Sequence, residues 1–394
     1  MKSSVILYVG MRPEWDVNRK RLAGIVRFAT PRGFRVETLM ATECTMESTR
    51  AAIARLRPLG VVAECHGDRF LPRDSWLGRV PAVFFNPPPG REWAGVRRVV
   101  CDEAAVARMA FDELSAGNPP CYAVITFIDH EPWAVERIRV FRACCRDAGA
   151  SCRLFVLPNP ADAKDDDDWQ AFCATRMAEW AASLPPHCAV FAVNGHVEHK
   201  AARAFAAVRR SLPRTATLCG ADGTESHPED RELAERTSAV KIDFELSGYL
   251  AARMLAEASG GAAAGPRVAT YGPLLVIRRD STRGRGRRED FILKALDDIR
   301  REACGGISAE ALAARSGVSR SLFFLRFKEA MGHTVHDEIN LVRLETAFSL
   351  LSGTDYSVAT VSDMCGFGSH VEARIVFRAR TGMSMSRWRA LHRR

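Results

Sequence analysis

One pattern is written twice near the end of this 394-residue chain, and it leaves few folds open to the stretch that carries it. Between Ile307 and Arg389 the sequence reads SAEALAARSGVSRSLFFLRFKEAMG, then an apolar-striped connector, then SVATVSDMCGFGSHVEARIVFRARTG. Each copy sets a hydroxyl residue (Ser308, Ser357) before a short apolar helix. A glycine at a turn follows (Gly317, Gly366), then an apolar residue (Val318, Phe367) and a serine placed to cap a second helix (Ser319, Ser369). A serine oxygen accepts from the free N–H groups of a first helical turn, and glycine adopts the left-handed backbone that a tight reversal needs. Two helices joined in this way form a helix-turn-helix, whose second helix enters the major groove of DNA.

The pattern also assigns faces. In the first unit, about residues 308–330, the second helix runs from Ser319 to Ala330. Leu322, Phe323 and Phe327 are expected inward, and Arg320, Ser321, Phe324 and Arg326 are candidates for DNA contact. In the second unit, about residues 357–381, His370, Val371 and Arg374 face forward and Arg378 is placed for phosphate. Arginine forks suit guanine edges and phosphates, and an aromatic ring suits a thymine methyl. The connector Val335–Leu351 carries an apolar stripe through Ile339, Val342, Leu344, Phe348 and Leu351. At 1.5 Å per residue it spans roughly 25 Å, so two heads on one chain suit successive major-groove faces about 34 Å apart. Charge follows the same division. From Ser281 onward there are 19 Lys and Arg against 13 Asp and Glu, whereas the first 280 residues carry 37 against 34. A basic excess at the reading end is what a phosphate backbone would meet.

The first 280 residues alternate short apolar runs with helical segments, the signature of parallel α/β sheets. Strands are expected at Val5–Val9, Arg35–Thr38, Gly60–Ala63, Ala82–Phe85, Arg98–Val100, Cys121–Thr126, Ser151–Leu157, Ala189–Val193, Ala216–Gly220, Ser238–Lys241 and Leu274–Ile277. Helices are expected at Arg19–Thr30, Glu103–Leu114, Trp133–Ala148, Trp169–Ser183, Val197–Arg210 and Glu245–Ala258. That number of strands suits two lobes, with the chain passing between them at Asp102, the helix Glu245–Ala258 returning to the first lobe and the final strand to the second. Ligands of such folds sit outside the carboxyl ends of the strands, here in the cleft between lobes. Ser259–Pro266 (SGGAAAGP) reads as a flexible connection, and the acidic run Asp165–Asp168 beside Lys164 as a solvated helix start. The stretch DSTRGRGRRED has no apolar content, so residues 281–290 are expected as a basic linker between a domain at 1–280 and an all-α domain at 291–394.

Other classes fit poorly. The N-terminal apolar run is too short for a signal segment and no run reaches about 18 apolar residues, so a cytoplasmic protein with no membrane partner is expected. Twelve cysteines are scattered without CxxC or Cys/His zinc spacing, which suggests buried reduced thiols. His66, His130, His196 and His199 are scattered, and only His196 and His199 with Glu198 hint at a metal pair. No catalytic, metal or cofactor site is therefore expected, and the chain is not expected to be an enzyme.

The C-terminal stretch resembles the DNA-binding domain of AraC/XylS transcription regulators. The resemblance is carried by Gly366, Phe367, Ser369, Phe377, Gly382, Ser384, Trp388 and Arg389. Ala373, Ile375 and Met385 depart from that family's usual aromatic or Leu, Arg and Pro. The first 280 residues resemble the sugar-binding core of LacI-type repressors and periplasmic binding proteins. The matching stretches are VVCDEAAVARMAFDEL, WAVERIRVFRACCRDAG, FAVNGHVEHKA, LCGADG and GPLLVIRRDST. In order and spacing the whole chain is most similar to the xylose-operon activators. That resemblance implies a two-lobed sensor in which Arg137 and Asp222 bond ligand hydroxyls, Asn194 lines the cleft and Trp133 stacks on a sugar face. Gly195 stands where those activators have Asp, which could mean another sugar. The partners it implies are double-stranded DNA, a monosaccharide such as D-xylose, a second copy of the chain and RNA polymerase. The expected function is a sugar-responsive activator of a pentose-utilisation operon. A regulator answering another small molecule and a repressor are the alternatives.

Overall fold

The computed structural model describes residues 4–10, 16–40, 45–64, 80–87, 96–127, 131–157, 166–222, 236–259, 266–283 and 290–392. The chain divides into two compact units, Met1–Arg27 with Arg35–Arg287, and Phe28–Phe34 with Arg288–Arg394.

The strands of the first unit are β1 (Val5–Gly10), β2 (Arg35–Met40), β3 (Gly60–Glu64), β4 (Ala82–Phe85), β5 (Arg97–Cys101), β6 (Tyr122–Thr126), β7 (Cys152–Val156), β8 (Cys188–Ala192), β9 (Ala216–Ala221), β10 (Ser238–Ile242), β11 (Val268–Tyr271) and β12 (Pro273–Ile277). They form two six-stranded sheets, ordered β11-β5-β4-β3-β1-β2 and β12-β10-β9-β8-β6-β7. β1, β3, β6 and β8 are buried along their whole length, which is why they read as unbroken apolar runs rather than as alternation. All eleven expected strands form. The twelfth, β11, was not anticipated, because its Val-Ala-Thr-Tyr sequence is short, half exposed and weakly apolar.

The helices of this unit are α1 (Asp16–Ala29), α2 (Met46–Leu56), α3 (Glu103–Ser115), α4 (Pro132–Asp147), α5 (Asp166–Ser183), α6 (Gly195–Ala207), α7 (Phe244–Ser259) and the single turn α8 (Asp280–Arg283). Among the described residues the chain passes between sheets three times. At Asp102, whose side chain caps α3 by accepting from Ala105 N at 2.8 Å, it leaves the first sheet for the second. At Asp243, which accepts from Leu246 N at 2.9 Å, it returns, and α7 packs on β3, β4, β5 and β11 as expected. At Gly272 a single residue separates β11 from β12. The crossings are tied together: Asp102 N donates to Tyr271 O at 2.8 Å and Asp243 N to Gly272 O at 3.0 Å. A one-residue crossing leaves no room to reverse direction, so β12 starts where β10 ends. It runs antiparallel to β10, the one exception to the expected parallel sheets among the described strands.

The second unit contains α9 (Asp290–Glu302), a 3-10 turn at Ala303–Gly305, and then α10 (Ala309–Arg315), α11 (Arg320–Met331), α12 (Val335–Gly353), α13 (Val358–Met364), α14 (His370–Thr381) and α15 (Met385–His392). Both turn glycines are left-handed, with φ 73° at Gly317 and 72° at Gly366. Ser308, Ser357 and Ser369 cap their helices, accepting from Ala311, Thr360 and Glu372 N–H groups at 3.0–3.1 Å. Ser319 occupies the cap position of α11, but its side chain makes no capping bond. Phe323 and Phe327 are fully buried, with Phe291 at 6.0 Å from Phe323. The second copy builds its core from Phe377, Phe348 and Trp388, with ring centroids 5.1–6.1 Å apart. Ala373 and Met385 lie inside that core, so two of the three family departures are packing residues. The connector α12 joins the copies, and its Arg343 donates to Ala303 O at 3.0 Å and Ile307 O at 3.4 Å.

The expected linker does not begin at Ser281. That residue lies in α8, is 1 % exposed, donates to Leu218 O at 2.5 Å and accepts from Ser238 N at 2.8 Å. Residues 284–289 and 260–265, Lys164, Asp165, His66 and His130 lie outside the described residues. Ser281→Ala would leave a buried N–H and a buried carbonyl without this partner and is expected to lower stability by about 1–3 kcal/mol. Urea unfolding followed by the near-ultraviolet signal of the first unit measures it. An unchanged midpoint would mean that α8 does not belong to this unit's cooperative fold.

Candidate functional site

Four residues named from sequence converge at the carboxyl end of the second sheet. Arg137, on the first turns of α4, is 3 % exposed. Its Nε donates to Glu103 Oε2 at 2.6 Å, its Nη1 to Val193 O at 2.7 Å, and its Nη2 lies 3.6 Å from Asp222 Oδ1. Burial by itself would weaken its hold on the proton, but Glu103 and Asp222 outweigh this and keep the guanidinium charged. Trp133, one helical turn earlier, is half-buried with its ring 5.0 Å beneath the Arg137 guanidinium. Asn194 caps α6, its Oδ1 accepting from Val197 N at 3.0 Å.

Asp222 follows β9 directly and has φ 83°, a left-handed backbone that a residue with a side chain adopts only under strain. Its Oδ1 is buried without a hydrogen bond, and burial raises its pKa while Arg137, Lys20, Lys241 and Arg21 pull it down. Glu103 was not anticipated as a partner. Its carboxyl is also raised by burial, with Arg137 opposing.

A second cluster, also missed, closes the first sheet. Tyr8 Oη and Arg21 Nη1 both donate to Glu64 Oε1 at 2.7 Å, and Asn86 Nδ2 donates to Tyr271 Oη at 3.0 Å while its Oδ1 accepts from Cys101 N at 2.9 Å. Arg21 stacks 4.4 Å from the Phe85 ring. The readable signal was a polar residue ending an apolar strand, as in VVAE and FFN, at the end where α/β folds bind ligands.

Beneath Asp222, on α6, the Glu198 carboxylate is fully buried and neither oxygen has a hydrogen-bond partner. It lies over Gly220 of β9, where a Cβ would come within 1.7 Å of its Oε2. Burial pushes its pKa well above the ordinary carboxylate range, with Arg279 opposing. Among the described residues no group of three His, Cys, Asp or Glu side chains is placed to hold a metal ion. None of the described helices is long and apolar enough to cross a membrane.

In the second unit α11 and α14 each expose one side. Arg320 pairs with Glu310 at 3.1 Å, Arg326 with Glu329 at 2.9 Å, and His370 with Asp363 at 2.8 Å, all at the surface. Ser321, Val371, Arg374 and Arg378 are exposed. Phe324 is only half-exposed, edge-on to Phe323 at 5.4 Å with Arg320 above its ring. Besides Val371, the outward apolar residues of these two helices include Leu325, 55 % exposed, and Ile375, 64 % exposed, neither of which was assigned a DNA contact from sequence.

Comparison with known proteins agrees with this division. A family model described as a helix-turn-helix domain matches residues 312–391, and one described as a periplasmic binding protein-like domain matches 121–282. The xylose operon regulatory protein of Escherichia coli (strain K12) is 30% identical over 237 residues, 60% of this chain and 59% of that protein. The match thus spans less than two thirds of the relative's length. A solved xylose-binding transcription activator superposes with a TM-score of 0.59 at 22% identity, covering 100% of both chains. A periplasmic binding ribose operon repressor from Lactobacillus acidophilus gives 0.58 at 17% identity, covering 72% of this chain and all of that one. At these identities the two structures establish the fold.

Glu198 yields a pH prediction. A carboxyl held protonated in the fold but free to ionise when unfolded contributes stability that is complete below about pH 4.3 and is lost as pH rises toward its elevated folded value. Glu198→Gln cannot ionise, so its melting temperature should fall less than the parent's between pH 5 and pH 8. Parallel pH profiles for the two proteins would show that the carboxyl is ionised and solvated in the fold.

Proposed function

We propose that this homologue of the xylose operon regulatory proteins, which joins a periplasmic binding protein-like domain to an AraC-type helix-turn-helix domain, is a sugar-responsive, DNA-binding transcription regulator and not an enzyme. The observation that carries the sensor half is Asp222: an acceptor oxygen without a hydrogen bond, on a strained backbone, 3.6 Å from a buried guanidinium at the cleft end of a parallel sheet. A carboxylate and a guanidinium side by side bind vicinal hydroxyls as acceptor and donor with fixed orientation. Trp133 offers a flat apolar edge to a sugar ring, and Asn194, whose oxygen is engaged in capping, contributes an N–H. In the same reading Asn86 and Arg21, at the carboxyl end of the first sheet, supply polar groups from the other lobe.

In this reading a pentose such as D-xylose draws the lobes together and so changes how the two heads engage successive major grooves, most simply as activation of a pentose-utilisation operon. A tenfold change in DNA occupancy requires only about 1.4 kcal/mol of coupling between the sites. Arg320, Ser321, Phe324 and Arg326 on α11 and His370, Val371 and Arg374 on α14 are the base-side residues, and Arg378 holds phosphate. The protein works in the cytoplasm as a homodimer, which lengthens the recognised site and raises effective concentration, and it contacts RNA polymerase. One observation favours a second reading in which the effector is a different small molecule. Position 195 is a buried glycine, and so contributes no side chain where the xylose activators have Asp.

A thermal-shift titration across xylose, ribose and arabinose tests the sensor. A sugar at a hundred times its Kd should stabilise the first unit by about 2.7 kcal/mol. Asp222→Asn should keep the fold and lose the shift. If no sugar moves the melting temperature at millimolar concentration, the sugar reading fails. On DNA, Arg320→Ala should relax preference at one base position, whereas Arg378→Ala should weaken all sequences evenly and reduce the salt slope by about 1. Equal, sequence-independent losses from both would defeat that division of roles.

A further inference from the structure

The two helix-turn-helix copies share one outward feature that charge does not explain. Six residues after the cap serine, α11 carries Leu325 and α14 carries Ile375, and both are more than half exposed. The positions two before and two after are core in both copies: Phe323 and Phe327 in one, Ala373 and Phe377 in the other, all fully buried. Two residues are about 200° round a helix, so Leu325 and Ile375 point directly away from their own cores. On α14 the next outward position along the same side is Val371, 55 % exposed. A large aliphatic side chain held in water at the same register of both copies cannot hold phosphate and does not pack inside its own domain. Exposed cations stand beside both: Lys328 near Leu325, where Glu329 is exposed as well, and Arg374 and Arg378 near Ile375. An apolar point with a cation beside it on a helix-turn-helix second helix matches one surface above others, the floor of the DNA major groove, where thymine C5-methyl groups are the apolar features and phosphates line both edges.

We propose that Leu325 and Ile375 each read a thymine methyl, so that the recognised duplex carries one methyl-dependent thymine under each head, with Val371 adding to the contact under the second. The inference rests on the reading of the second unit as DNA-binding, and it adds Leu325 and Ile375 to the base-side residues of that reading. Removing a single methyl from such a contact lowers affinity by about three- to tenfold without changing the number of phosphates neutralised.

The test uses the full chain and a randomised duplex pool. A sequence enriched from the pool is resynthesised with each thymine replaced in turn by deoxyuridine, which keeps base pairing and lacks the methyl, and affinities are measured by fluorescence anisotropy. The expected result is two separated positions, one per head, at which deoxyuridine costs about three- to tenfold. Ile375→Ala should become indifferent to deoxyuridine at one of them and Leu325→Ala at the other, each with the parent's salt slope. Both sites are exposed and alanine is the stronger helix former, so the variants should fold as the parent does. If deoxyuridine is neutral everywhere, or if the variants keep the parent's sensitivity, the methyl assignment is overturned while DNA binding stands. If no sequence is enriched from the pool, the DNA-binding reading fails and this inference with it.

Discussion

The three closely tied chain crossings are the constraint on which the first unit depends. Asp102 N to Tyr271 O and Asp243 N to Gly272 O join the crossings edge to edge, and the carboxyl ends of the parallel strands gather around them. Two buried polar clusters, centred on Arg21 with Glu64 and on Arg137 with Asp222, consequently close neighbouring sheet ends. Neither arginine would be tolerable in an apolar core alone, since a buried charge without a partner costs several kcal/mol. Each is satisfied by a carboxylate from a different element, so the clusters hold their own sheets together as well as presenting polar groups. Arg137 is the clearer case, because Glu103 and Val193 O satisfy part of its fork while Asp222 remains at 3.6 Å with an oxygen to spare.

The second unit solves a different problem, that of presenting two exposed helices from one small core. Gly366 turns where any side chain would strike the Ala303 and Cys304 carbonyls, and Arg343 of the connector donates to the same Ala303 carbonyl. The 3-10 turn at Ala303–Gly305 is therefore shared by the connector and the second copy, which binds the copies into one body rather than two beads on a helix. Within each copy the buried aromatic residues set the helix phase, and this determines which side chains are left to face outward.

Much of the architecture was legible because it follows from local periodicity. Apolar runs buried on both faces, serine caps and left-handed glycines announce strands and turns wherever they occur, and eleven strands, the crossing at Asp102 and the return of α7 were readable from them. β11 was not, because a four-residue edge strand has too little apolar content to stand out. The linker start was misplaced because the composition of DSTRGRGRRED is uniformly polar, and it is the hydrogen bonds of Ser281 to strands far away in sequence that show its first turn to belong to the sheet. Phe324 and Leu325 illustrate a finer limit. Neighbouring positions on a helix lie about 100° apart, and the turn pattern does not tell that Phe324 is half-buried against Phe323 while Leu325 is exposed.

The sequence by itself determined the two-part plan, the α/β character of the first part and the doubled helix-turn-helix of the second, while Arg137, Asp222, Asn194 and Trp133 were singled out by resemblance. Only the tertiary structure decided that Glu103 is the closest carboxylate to Arg137, that Asn194 has committed its oxygen to a helix cap, that Glu198 lies buried over Gly220 and that Leu325 and Ile375 hold equivalent outward positions. Periodicity specifies which face of an element is apolar. It does not specify which distant element covers that face, and the partners of a buried polar group are chosen by that second element.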